Sequence, residues 1–71
     1  MEKIKIVNRV REARRTAGLT QVELADRLDV TRQTIGLIEA DRYNPTIRLC
    51  LMIARETGAS LDWLFQIKEE D

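Results

Sequence analysis

The chain has 71 residues, enough for one domain whose small core leaves little stability to spare. Apolar residues at 44%, charged residues at 34%, one proline and three glycines are globular values and exclude a disordered or loop-dominated chain. Formal net charge is zero, no apolar run approaches the ~20 residues of a membrane span, and the charged opening segment is unlike a signal peptide, so a cytoplasmic protein is expected.

The first seven residues alternate Lys3, Ile4, Lys5, Ile6, and this pattern is compatible with a strand, an arm or an extension of the first helix. A helix is expected over residues 8–18, with Asn8 as N-cap and Gly18 supplying the positive φ of a helix end. Val10, Ala13, Arg14 and Ala17 share one of its faces. Three of these are ordinary core residues; Arg14 needs a partner, because a charge near a core is costly unless paired and hydrogen-bonded.

Residues 20–39 read as two short helices and a tight turn. Thr20 with Glu23 three residues later is a capping box, so a helix starts at Gln21. Leu24, Ala25 and Leu28 form its inner face; Asp29 and Val30 interrupt it, and Thr31 caps a new helix from Arg32. At ~100° per residue Ile35 and Ile38 point inward, while Gln33, Gly36, Leu37 and Ala40 point the other way, with nothing evident to cover them. Two helices joined by a short turn, with small Ala25 at their crossing and a polar outer face on the second, meet the description of a DNA-binding helix-turn-helix.

After a polar turn ending at Pro45, Thr46 can cap a fourth helix. Ile47, Cys50, Leu51 and Ala54 form one stripe on it, and Leu49, Met52 and Ile53 widen the apolar surface almost all the way round, which calls for burial on several sides or a second partner. Gly58 ends this helix. Ser60 opens a short fifth one that places Leu61, Leu64 and Phe65 in the core, with Trp63 at least partly buried. Residues 68–71 read as a frayed, solubilising end.

The chain from residue 8 to residue 65 resembles the phage-repressor and Xre-like (Cro-type) helix-turn-helix family. The resemblance is carried by the run from Gly18 to Ala25, by Val30-Thr-Arg-Gln-Thr-Ile, Ile38-Glu and Arg42-Tyr-Asn-Pro, and by Gly58-Ala-Ser-Leu-Asp-Trp-Leu-Phe. It implies an all-α, compact five-helix bundle of the lambda-repressor type, with residues 1–7 as an N-terminal arm or strand and residues 66–71 as a charged tail. It also implies that Arg14 pairs with Glu39 at the end of the recognition helix, and that Thr20, Gln21, Arg42 and Asn44 contact phosphates. Asp29 and Asp41 stand where the family usually has glycine; aspartate tolerates left-handed backbone geometry better than most residues.

In the helix-turn-helix docking mode the start of the second helix lies nearest the base edges. Gln33 can donate to and accept from adenine, and Arg32 can bind guanine O6 and N7 or hold a phosphate. Thr34 can reach backbone or base, and Leu37 suits a thymine methyl. Gly36 costs about 1 kcal/mol relative to alanine inside a helix, which close approach of DNA or a tolerated weakness would explain. Arg9, Arg11 and Arg15 are further candidates for phosphate. The charge is unevenly placed: residues 1–48 hold ten Lys or Arg against seven Asp or Glu, and residues 49–71 hold two against five. The positive part contains the helix-turn-helix.

Without histidine and with Cys50 as the lone cysteine, read as a small core residue, no metal site, cofactor or internal disulfide is expected. No set of residues satisfies nucleophile, base and oxyanion roles together, so the chain does not read as an enzyme. The expected function is repression by a homodimer on a palindromic double-stranded operator, with half-sites ~34 to 36 Å apart. A dimer interface from the fourth and fifth helices and the tail, including Met52 and Ile67, would serve it. The alternative is an antitoxin-like or coactivator-like protein-interaction module of the same fold.

Overall fold

The structure, a computed structural model, describes residues 3–70 and the side chains of residues 5–68. The elements run β1 (Lys3–Asn8), α1 (Val10–Thr16), α2 (Gln21–Leu28), α3 (Arg32–Glu39), α4 (Ile47–Thr57), α5 (Leu61–Leu64) and β2 (Phe65–Glu70). Among the described residues there are five helices, but the all-α expectation requires correction: residues 3–8 and 65–70 pair as an antiparallel two-stranded ribbon. Its register sets Ile6 against Ile67, Lys3 against Glu70 and Asn8 against Phe65. The frayed tail is thereby corrected as far as residue 70; the expectations for residues 1, 2 and 71 lie outside the described residues. Among the described residues no helix is long and apolar enough to cross a membrane.

Hydroxyl caps set the starts of four helices. Thr20, Thr31, Thr46 and Ser60 each accept a hydrogen bond from the backbone N–H three residues on, at 3.1 to 3.2 Å. Thr20 also donates its own N–H to Glu23 Oε1 at 2.9 Å, completing the capping box. Two left-handed residues close the helices that frame the turn: Asp29 at φ 56° after α2 and Asp41 at φ 59° after α3. At each end the next N–H reaches back, Val30 to the Ala25 carbonyl and Arg42 to that of Leu37, so the last carbonyls are satisfied despite the missing glycine.

Helix α1 is shorter than expected. Arg9 holds the N-cap position, Asn8 Oδ1 accepts from Val10 N at 3.0 Å, and Ala17 lies beyond the last turn, exposed rather than in the core. The core consists of Val10 and Ala13 of α1, Leu19, then Leu24, Ala25 and Leu28 of α2, Ile35 and Ile38 of α3, Ile53 of α4 and Leu64 of α5. Helix α4 rests on it through Ile53, with Leu49, Met52 and Ala54 partly buried. Of the stripe Ile47, Cys50, Leu51 and Ala54, the two largest residues are turned outward, with Ile47 76% and Leu51 53% exposed. On a helix apolar nearly all round, periodicity does not select the inner face; contact with the other helices does. Phe65 is not helical, since its backbone is already extended (φ −132°, ψ 120°) and begins β2.

These burials predict a sharp contrast along α4. Ile53→Ala should cost about 2 to 5 kcal/mol in urea-unfolding free energy, whereas Arg48→Ala, at an exposed position of the same helix, should stay within about 0.5 kcal/mol. Equal losses at the two positions would contradict the orientation of the helix.

Candidate nucleic-acid interface

Inside the bundle, the Glu39 side chain at the end of α3 has no exposed surface. Arg14 Nε donates to Glu39 Oε2 at 2.7 Å and its Nη2 to Oε1 at 3.3 Å, while Nη1 donates to the Leu19 carbonyl at 2.9 Å. Arg11 Nε and Gln21 Nε2 each reach Glu39 Oε1 at 3.2 Å. One carboxylate thus ties α1, the start of α2 and the end of α3 together. Burial pushes its pKa upward, but the donors from Arg14, Gln21 and Arg11 outweigh this and hold it below the usual 4.5. The charge is retained because three side chains replace its water.

A second tether holds the same end of α3. Asn8 Nδ2 donates to the Ile38 carbonyl at 2.6 Å and to Asp41 Oδ1 at 3.1 Å, while its Oδ1 accepts from Val10 N–H at the start of α1. One amide therefore joins the terminal ribbon, the first helix and the last turn of α3. Sequence reasoning saw Asn8 only as a cap, because contacts 30 and 33 residues apart leave no local signal.

Held in this way, α3 buries Ile35 and Ile38 and presents its other face to solvent. Arg32 and Gln33 are exposed, and Leu37 keeps 37% of its surface. Neither the Arg32 nor the Gln33 side chain has a hydrogen-bond or ion-pair partner among the described residues. Thr34 is half-buried, and its hydroxyl lies 2.9 Å from that of Thr31, within the helix cap. At Gly36 an added Cβ would meet only Gln21 Nε2, at 4.0 Å, an ordinary contact. The fold therefore has room for alanine there.

Beside this face, Arg11, Arg14, Arg15, Thr20, Gln21 and Arg32 line an open groove. Arg14 and Arg11 spend donors on Glu39, as does the Gln21 amide, whereas Arg15 is exposed and has no partner among the described residues. Arg42 and Asn44 are also exposed but lie in the loop after α3 and do not line this groove. Arg9 is engaged elsewhere: its guanidinium sits 5.3 Å from the Trp63 ring centroid and donates to the Trp63 carbonyl at 2.9 Å. Among the described residues no cluster of His, Cys, Asp or Glu could hold a metal ion. Cys50 is half-buried rather than a full core residue, and burial raises its thiol pKa.

The capped α2, the left-handed turn at Asp29 and the solvent-facing α3 define a helix-turn-helix protein. Residues 10–64 match the helix-turn-helix family HTH_3, and the chain belongs to that family. It is 43% identical over 63 residues to an uncharacterized HTH-type transcriptional regulator of Archaeoglobus fulgidus, covering 89% of this chain and 90% of the relative. A second such regulator, from Methanothermobacter thermautotrophicus, is 53% identical over 49 residues, 69% of this chain and 71% of that protein. The immunity repressor protein of Bacillus phage phi105 is 36% identical over 50 residues, 70% of this chain but 35% of the repressor.

The Glu39 network should be visible in acid. Its folded pKa lies below the unfolded value, so its contribution is fully present above about pH 4.5 and is lost as pH falls toward the folded pKa. Glu39→Ala strands Arg14 and should cost about 3 to 5 kcal/mol near pH 7. Thermal melts from pH 7 to pH 2 should show that the variant lacks this part of the wild-type acid sensitivity; parallel curves would contradict the assignment.

Proposed function

We propose that the protein is a transcriptional repressor that binds a palindromic double-stranded operator as a homodimer, with α3 in the major groove. The observation that carries this reading is an exposed α3 face, with Gln33 unpartnered at its start, on a helix anchored at its far end by Glu39 and Asn8. A docked helix needs this combination: free donors and acceptors toward the bases, and a rigid attachment that keeps them in register.

In this reading Gln33 pairs with adenine through N6 and N7, Arg32 takes guanine or a neighbouring phosphate, and Leu37 meets a thymine methyl. Thr34, whose hydroxyl lies beside that of Thr31 in the helix cap, reaches backbone or base from there. Gln21 at the start of α2 holds a phosphate through its backbone N–H and Thr20 through its hydroxyl hydrogen, which suits a Gln21 side chain already committed to Glu39 and a Thr20 N–H already given to Glu23. Arg15 supports them from α1, and Arg42 and Asn44 hold the backbone on the other flank. Net neutrality of the whole chain does not oppose this, since the arginines gather beside α2 and α3.

Titration of genomic DNA fragments at several salt concentrations tests the assignment. Selective, salt-sensitive binding is expected. Gln33→Ala should cost about 1 to 3 kcal/mol and relax specificity at one base pair. Arg42→Gln should weaken all sequences alike and reduce the salt slope by about 1. Folded protein without selective binding at any salt would overturn the reading and favour a protein-interaction module, for which the outward apolar residues of α4 would be the surface.

Gly36→Ala separates fold from recognition. It should stabilise the free protein by up to about 1 kcal/mol, since the added methyl has space and glycine is the poorer helix former. It should nevertheless weaken operator binding, because the methyl stands between helix and bases. A variant that gains stability and binds the operator unchanged would show that the glycine is only a tolerated weakness.

A further inference from the structure

We infer that Arg11 joins Arg15 on α1 in a second site for DNA phosphate, with the Arg11 guanidinium held in place by the buried Glu39 carboxylate. This deepens the operator reading above and rests on it. The groove beside the recognition helix is lined by Arg11, Arg14, Arg15 and Arg32, and no carboxylate lines it. Glu39, which has no exposed surface, offsets one of these four charges from within the bundle. Glu12 forms no ion pair among the described residues and borders a neighbouring cavity with Asn8 and Thr16 rather than this groove. Three positive charges are therefore left on one concave, solvent-facing surface, which focuses their field on an anion.

Arg11 differs from the other two. Its Nε donates to Glu39 Oε1 at 3.2 Å, yet 55% of its side chain stays exposed. A guanidinium carries five N–H donors in a planar fork, so four remain on the Nη groups, and these have no partner among the described residues. Arg14 already gives the carboxylate two bonds and Gln21 a third, so the charge of Arg11 is surplus to it. Anchoring at Nε also removes rotamer freedom that a long side chain would otherwise give up on binding. The free edge of the fork therefore meets a phosphate already oriented.

The position of the site selects the DNA backbone as the source of that phosphate. Arg11 and Arg15 stand one helical turn apart, about 6 Å along α1. Like charges at this spacing repel one another, and an anion held between them relieves the repulsion. Thr20 and Gln21 share the groove with them, as does Arg32 at the start of α3. A strand whose bases are read from Arg32 onward passes the start of α2 and reaches α1 next, so its following phosphates fall to Arg11 and Arg15. A free polyphosphate would need no such continuity with a base-reading helix.

Binding of a duplex selected from a random library, measured between about 50 and 200 mM salt, tests the inference. Each phosphate contact contributes about 0.9 to the salt slope, which is roughly 3-fold in affinity over that range. Arg11→Gln combined with Arg15→Gln should lower the slope by about 2 per bound copy and keep the preference over a mismatched duplex. Arg11→Lys, which keeps the charge, should hold the wild-type slope. Arg55→Gln removes equal charge from an exposed position of α4 outside the groove and should leave the slope unchanged. Circular-dichroism melts establish that each variant is folded; if the double variant is not, Arg15→Gln alone replaces it, with an expected fall of about 1. A folded variant with the wild-type slope overturns the inference and leaves the recognition-helix reading standing, whereas a wild type without selective binding overturns both. Saturable binding of inorganic pyrophosphate without DNA at sub-millimolar concentration would assign the groove to a free polyphosphate and overturn the backbone assignment.

Discussion

The buried carboxylate of Glu39 is the constraint on which the rest of the architecture depends. In a 71-residue chain the apolar core is thin, and α1 and α3 meet over few residues. A charge removed from water must be compensated by donors in fixed places, and here these come from α1 through Arg14 and Arg11 and from the first turn of α2 through Gln21. The arrangement sets the angle of α3 more narrowly than Ile35 and Ile38 alone would, because hydrogen bonds are directional and apolar packing is not.

The same network divides the surface into committed and free groups. Gln21 and Arg14 lie beside the α3 face but face inward, whereas Gln33, Arg32 and Arg15 have no partner among the described residues. Asn8 reinforces the same end of α3, where its amide spans the ribbon, the start of α1 and the last turn of α3. The exposed face is polar at its start and carries Leu37 further along, a distribution suited to reading hydrogen-bonding base edges and a methyl group in one groove.

What could be read from the sequence follows from how local each feature is. Capping residues act within three positions, so the starts of α2, α3, α4 and α5 were legible from Thr20, Thr31, Thr46 and Ser60. The inward pair Ile35 and Ile38 was legible because α3 carries few other apolar residues. Helix α4 was not, since seven of its eleven residues are apolar and every face satisfies the pattern. The ribbon was illegible for a different reason: Ile6 and Ile67 are separated by nearly the entire chain, and a short acidic strand reads as a solvated tail when its pairing partner lies at the other end of the sequence. For the candidate interface, the outward positions of α3 came from periodicity, the partner of Arg14 only from family resemblance, and the roles of Asn8 and Gln21 from neither.

The most direct measurement of the central claim is an NMR titration of the isotope-labelled protein with a DNA duplex selected from a random library. Recognition through an α3 anchored by Glu39 predicts the largest backbone amide changes from Arg32 to Leu37 and at Thr20 and Gln21, with those of Ile53 and Leu64 in the core little affected. Changes confined to the ribbon and α4, or a library from which no preferred duplex emerges, would contradict it.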